Sequence, residues 1–155
     1  MNLGDLIGPE AVKHSLKAKD KKQLLAELAA CASNISGLQE REIFDVLLQR
    51  ERLGSTGLGQ GAAIPHGKMS GLTQIVGVFA RLVEPVDFDS ADGEPVDIVF
   101  LLLAPEGAGA DHLKALARIS RLLREGAAVQ KLRSSRDAAA LYAVLTQEDT
   151  SSHAA

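Results

Sequence analysis

The chain is 155 residues long and has 17 Lys and Arg against 20 Asp and Glu, a formal charge of -3. That length suits one domain, and the slight acidity gives no electrostatic case for nucleic acid or an anionic membrane surface as a partner. Hydrophobic residues make up 46% but aromatics only 3%, so the core is aliphatic and the stacking platforms of a single-strand binder are missing. The single Cys31 excludes a disulfide framework and any CxxC metal or redox motif. Met1–Asp5 lacks a basic, apolar leader, and the longest apolar run, Ile98–Ala104, is too short to cross a bilayer. The expectation is a cytoplasmic protein without membrane insertion.

Taken in chain order, the first predicted helix starts at Asp20. Asp20-Lys-Lys-Gln23 fits a capping box, and Leu24, Leu25, Leu28, Ala29 and Ala32 form one face. Cys31 falls on that helix as a packing residue. Ser36-Gly-Leu-Gln39 repeats the capping pattern before a second helix with Ile43, Phe44, Leu47 and Leu48 inward, which ends through Gln49-Arg50-Glu51-Arg52 near Gly54. Two strands follow. Thr73–Arg81 is β-branched and roughly alternating, and Val96–Leu103 is apolar on both faces, as a central strand is. Glu84-Pro85 and Asp92–Pro95 between them are turn chemistry. Asp87, Asp89, Asp92 and Asp97 suit turn-making better than a metal site.

The last third is helical. Asp111 is the expected N-cap of a helix with Leu113, Leu116, Ala117, Ser120 and Leu123 on one side, ending at Gly126. A short helix over 127–132 follows, and Asp137 caps a final one through Leu141, Tyr142 and Leu145. Helices, strands, then helices predict an α/β sandwich, with one domain over residues 1–146 and a frayed, disordered tail over 147–155.

The segment Gly54–Lys68, GSTGLGQGAAIPHGK, holds five glycines between Gly54 and Gly67. Gly57-x-Gly59-x-x-Ala62 fails as a dinucleotide fingerprint, because a helix precedes it and Ala62-Ala-Ile-Pro65 cannot open a long one. Gly61–Lys68 fails as a phosphate-binding P-loop: five residues separate the glycines, and Met69 stands where a Ser or Thr would meet Mg²⁺. What remains is His66, presented between Pro65 and Gly67. An imidazole held there is suited to be a nucleophile, a base or a metal ligand, while Pro-His-Gly alone more often marks a turn histidine. His112 falls in the first turn of its helix, where the dipole disfavours imidazolium and free amides attract an anion, a setting that suits a phosphoryl group, while Asp111-His112 equally describes a simple helix start. Arg50 offers a guanidinium that forks onto phosphate oxygens, or merely serves its helix end. The four histidines have no zinc-ligand spacing, so no metal and no cofactor is expected.

Arg50-Glu51, Gly54–Lys68, Val76–Phe79, Pro85–Asp89, Asp92–Asp97 and His112–Leu116 together resemble the enzyme IIA family of the bacterial phosphotransferase system. The resemblance is to its fructose/mannitol branch, nearest the nitrogen-regulatory members, and runs from about Leu3 to Leu145. It implies a mixed β-sheet sandwiched between helices. It also implies phosphorylation of His66 on Nε2 by an HPr-like carrier charged from phosphoenolpyruvate through an enzyme I. His112 is implied as the second active-site histidine and Arg50 as the nearby family arginine. Gly57, Gly59 and Gly61 are expected to leave a shallow rim through which a partner reaches His66. Gly107-Ala-Gly-Ala110 departs from the family pattern, being smaller and less polar.

The expected role is phosphocarrier regulation of target proteins, such as a sensor kinase or a potassium transporter. No IIB or membrane domain accompanies the sequence, which favours that role over passing phosphate to a sugar transporter's IIB domain. Two other readings stand beside it: a non-catalytic binding module of the same fold, and a metal-dependent hydrolase built on His66 and His112.

Overall fold

The computed structural model describes residues 2–147. The expected tail over 147–155 therefore lies, apart from Gln147, outside the described residues. Five α-helices accompany a six-stranded sheet among them. The strands are β1 (Val12–Leu16), β2 (Gly57–Gly59), β3 (Ala62–Ala63), β4 (His66–Met69), β5 (Val76–Val86) and β6 (Val96–Pro105). The helices are α1 (Lys21–Ser36), α2 (Glu40–Arg52), α3 (Ala110–Arg124), α4 (Gly126–Ser134) and α5 (Ala138–Thr146).

The sheet is mixed, in the order β1-β5-β6-β3-β2, with β4 also paired to β6. β5 and β6 run antiparallel at the centre, and β1, β3 and β4 join them in parallel. Val76–Ala80 and Ile98–Ala104 are buried at every position, so both faces of the central pair are covered. α1 and α2 pack together and lie on β5 and β4, while α3 lies on β6 and β2 and continues through α4 to α5 on β1. The predicted mixed sheet between helices is the fold observed.

Local chemistry explains where the helices begin. Asp20 accepts the Gln23 amide at 2.8 Å and Asp137 accepts that of Ala140 at 2.9 Å, each capping its helix as expected. α1 buries the five predicted residues and closes on Gly37 at φ 79°, a left-handed position that favours glycine. Ser36, however, is the last residue of α1 rather than the cap of α2: its hydroxyl donates to the Ala32 carbonyl at 2.7 Å. α2 starts from Gln39 with no side-chain cap. α4 spans 126–134, slightly more than the short helix expected, and begins at Gly126 itself.

Three strand expectations are corrected, and β1 is a strand that the sequence reading did not include. β5 starts three residues later than Thr73 and runs through Glu84-Pro85, which was expected as a turn; the chain stays extended there because the pairing with β6 slips between Arg81 and Val86 and spares the proline's missing donor. β6 continues past Leu103 to Pro105. β1 has only Val12 buried, so its sequence lacks a strong apolar alternation. The glycine-rich segment, expected as a loop, contributes β2, β3 and β4.

α3 also differs. It opens at Ala110 with Gly109 (φ 53°) in the cap position, so Asp111 is its second residue and caps nothing with its side chain. Its buried face is His112, Ala115, Ile119, Leu122 and Leu123 rather than the predicted Leu113, Leu116, Ala117, Ser120 and Leu123. The helix is turned by about one position: His112 goes inward and Leu113 is left 69% exposed.

Candidate functional site

β3 and β4 lie one after the other along the same edge of β6, bridged by the Pro65 carbonyl, which accepts the Leu102 amide at 3.0 Å. His66 is the first residue of β4, in register with Leu102. It is therefore carried on the sheet itself. Its Nδ1 lies 2.8 Å from the Ile64 carbonyl oxygen. A carbonyl only accepts, so Nδ1 bears a ring proton, and in the neutral form of the ring Nε2 holds the lone pair.

His112 stands opposite, its ring centroid 5.8 Å from that of His66 and the planes 82° apart. It is 6% exposed, and neither ring nitrogen has a hydrogen-bond partner in the protein. Burial, followed by the charges of His66 and Lys68, pushes its pKa below the ordinary histidine value. The positive end of α3 acts in the same direction.

Arg50 and both histidines line one cleft of about 630 Å³ between the end of α2, β4 and the start of α3. The Arg50 guanidinium donates from Nη1 to the Gly54 carbonyl at 2.9 Å, across the turn that ends α2. All three residues singled out in the sequence thus meet in one place.

The same cleft holds residues that sequence reasoning did not select: Val46, Gln49, Arg52, Leu53 and Lys68. Lys68 follows His66 by two, which on a strand means the same side; reading the segment as a loop concealed that. Arg50, Arg52 and Lys68 make the lining cationic, the setting that electrostatic stabilisation of phosphate oxygens calls for. Leu53, 85% exposed, and Leu113 are large apolar residues at the mouth or beside His112.

Gly57 and Gly59 do not form the expected rim. They line a separate cavity with Asp92, Leu123 and Arg124, and Gly61 faces Arg133 and Asp97. The glycine that matters at the cleft is Gly67: a Cβ there would lie 2.5 Å from Val46 Cγ1, so its absence lets α2 settle directly on β4.

The acidic residues are tied up elsewhere. Asp97 pairs with Arg133 at 2.9 Å, Asp89 lies 3.7 Å from Lys21, Asp87 accepts the Asp89 amide, and Asp92 accepts the amides of Gln60 and Glu94. Those two amides hold the Asp92 carboxyl below the usual range. Cys31 is half-buried against the core, and burial raises its thiol pKa. Among the described residues no three His, Cys, Asp or Glu side chains gather as a metal site would require, and no helix is long and apolar enough to cross a membrane.

Residues 5–148 match the family model described as phosphoenolpyruvate-dependent sugar phosphotransferase system, EIIA 2. The chain is 62% identical over 145 residues to a nitrogen regulatory protein of Bradyrhizobium diazoefficiens, covering 94% of this chain and 95% of that one. It is 33% identical over 150 residues to the nitrogen regulatory protein of Escherichia coli, covering 96% and 92%. Its fold matches the crystal structure of nitrogen regulatory protein IIA-Ntr from Neisseria meningitidis with a TM-score of 0.89 at 37% identity, covering 93% of this chain and 99% of that one. With a helix-flanked mixed sheet, two facing histidines and a family match over nearly its whole length, the chain belongs to the EIIA 2 family of the phosphotransferase system.

Proposed function

We propose that the protein is a cytoplasmic phosphocarrier of the nitrogen-regulatory type, accepting a phosphoryl group on His66 Nε2 from an HPr-like phosphohistidine protein and controlling partners through its phosphorylation state. The observation that carries this reading is the hydrogen bond from His66 Nδ1 to the Ile64 carbonyl, which leaves the Nε2 lone pair as the ring's nucleophile. The identity to nitrogen regulatory proteins supports the regulatory part.

Phosphoryl transfer has a loose transition state, so alignment and charge balance supply most of the catalysis. The donor's N–P bond breaks with its electron pair remaining on the donor nitrogen, and the Nε2 lone pair forms the new N–P bond. No proton leaves His66, because its only ring proton is on Nδ1. His112 stays neutral and offers an unpartnered ring N–H to a phosphoryl oxygen. Arg50 and Lys68 offset the incoming negative charge. Leu53 and Leu113 give the donor an apolar surface around the reacting atoms.

The test is intact mass after incubation with phosphoenolpyruvate, enzyme I and the HPr-like carrier. One acid-labile phosphoryl group on the wild type and none on His66→Ala is the expected result. An unmodified wild type beside a competent donor, or a modified His66→Ala, refutes the assignment.

A further inference from the structure

The mechanism makes no use of Glu51, although it is the most deeply placed carboxylate near the cleft. Its side chain is 3% exposed. A buried carboxylate is costly unless its oxygens are fully engaged, and these are. Oε1 accepts the Thr56 amide at 3.0 Å and pairs with Lys21 Nζ at 3.0 Å, while Oε2 accepts the Thr56 hydroxyl. Thr56 is thereby clamped at two points. Its own carbonyl accepts the Ile64 amide at 3.1 Å, and the Ile64 carbonyl receives His66 Nδ1. An unbroken series of hydrogen-bonded groups thus runs from the carboxylate to the reactive imidazole. The clamp also closes the 53–55 turn, whose Gly54 carbonyl holds the Arg50 guanidinium.

We infer that Glu51 is a positioning residue for phosphoryl acceptance: through Thr56 and Ile64 it fixes the His66 ring with its proton on Nδ1 and its Nε2 lone pair free. The inference rests on the reading of His66 as phosphoryl acceptor, and goes beyond it by assigning the device that sets the tautomer. Glu51→Gln keeps the size of the side chain and removes the charge that holds Thr56 and Lys21 together. Thr56→Val keeps the backbone amide and removes only the hydroxyl arm. Loosening the clamp lets the Ile64 carbonyl drift, and an imidazole without a fixed acceptor distributes its proton over both nitrogens.

The test combines two readouts on the full-length wild type, Glu51→Gln and Thr56→Val: nitrogen NMR of the His66 ring at a pH where it is neutral, and steady-state phosphoryl acceptance from the phosphorylated HPr-like carrier. The wild type is expected as a single Nδ1–H tautomer. Glu51→Gln is expected to show a mixture, with kcat reduced on the order of ten- to a hundredfold and KM for the carrier nearly unchanged. Thr56→Val should show the same pattern more weakly, and it decides the question alone if Glu51→Gln does not fold. A wild-type proton on Nε2, or folded variants that retain both tautomer and kcat, overturns the inference. A wild type that accepts no phosphoryl group instead overturns the reading of the site, and the tautomer comparison still decides the role of Glu51.

Discussion

The contact between Gly67 and Val46 lets a steric effect be tested with little confounding backbone strain. Gly67 lies in a strand outside the left-handed region, so alanine is conformationally acceptable there and should gain about 0.4–1 kcal/mol from a less flexible unfolded chain. Against this, the new Cβ would sit 2.5 Å from Val46 Cγ1, roughly 1 Å inside ordinary contact. Val46 is β-branched on a helix and has little rotameric escape, so α2 must shift outward. Overpacking of this kind costs about 1–3 kcal/mol, leaving a net loss near 0.5–2 kcal/mol. At about 2–4 °C per kcal/mol for a chain of this size, melting should fall by roughly 1–8 °C. The shift also carries Arg50 away from His66, so phosphoryl acceptance should slow with it. Val46→Ala alone costs about 1 kcal/mol for two half-buried methyl groups. Combined with Gly67→Ala, it should recover both stability and rate, with a coupling energy of about 1–2 kcal/mol by urea denaturation. Strict additivity in the double variant, or a Gly67→Ala protein as stable and active as wild type, would refute the reasoning.

Three further outcomes follow from other parts of the molecule. His112 resists protonation in the fold, so as pH falls below about 6.5 the unfolded chain binds the additional proton. Stability should then drop by up to about 1.4 kcal/mol per pH unit until the depressed folded value is passed; this component should vanish in His112→Gln, and equal slopes for the two proteins in urea titrations down to about pH 5 would contradict it. Leu53→Asp and Leu113→Asp change exposed side chains, so stability should stay within about 0.5 kcal/mol of wild type. Each should raise KM for the HPr-like donor by about fivefold or more, and an unchanged KM would remove these leucines from the docking surface. Asp20→Ala and Asp137→Ala each remove an N-cap and should cost about 1 kcal/mol, adding in the double variant, as denaturant midpoints will show.

Elements held by local rules could be read from the sequence. Asp20 and Asp137 cap their helices through side chains three residues from the amide they serve, and α1 needed only its own periodicity. β6 stood out because a strand covered on both faces is continuously apolar. β2, β3 and β4 did not, since glycine and alanine give no alternation and their pairing comes from the long partner β6 and from each other. The rotation of α3 escaped for a different reason. Hydrophobicity alone puts Leu113 inside and His112 outside, yet the fold reverses them to face one imidazole with another. His66, His112 and Arg50 were legible from their chemistry and family resemblance, and the cleft unites them. Glu51 was not, because nothing in Arg50-Glu51-Arg52 marks the middle charge as buried; its partners Lys21 and Thr56 become neighbours only when α1, α2 and the following turn assemble.

A histidine anchored in a sheet has consequences for how its state is reported. The peptide around His66 is in register with β6 and its ring is tied to Ile64, so the proposed phosphorylation at Nε2 would leave those bonds in place. What alters is charge: a phosphoryl group brings up to about two negative units against the three positive ones of Arg50, Arg52 and Lys68, converting a strongly cationic hollow into a weakly cationic one. The two states then differ chiefly in surface potential rather than in shape. A partner that tells them apart must read the strength of the field at the cleft, and its discrimination should weaken as salt is added.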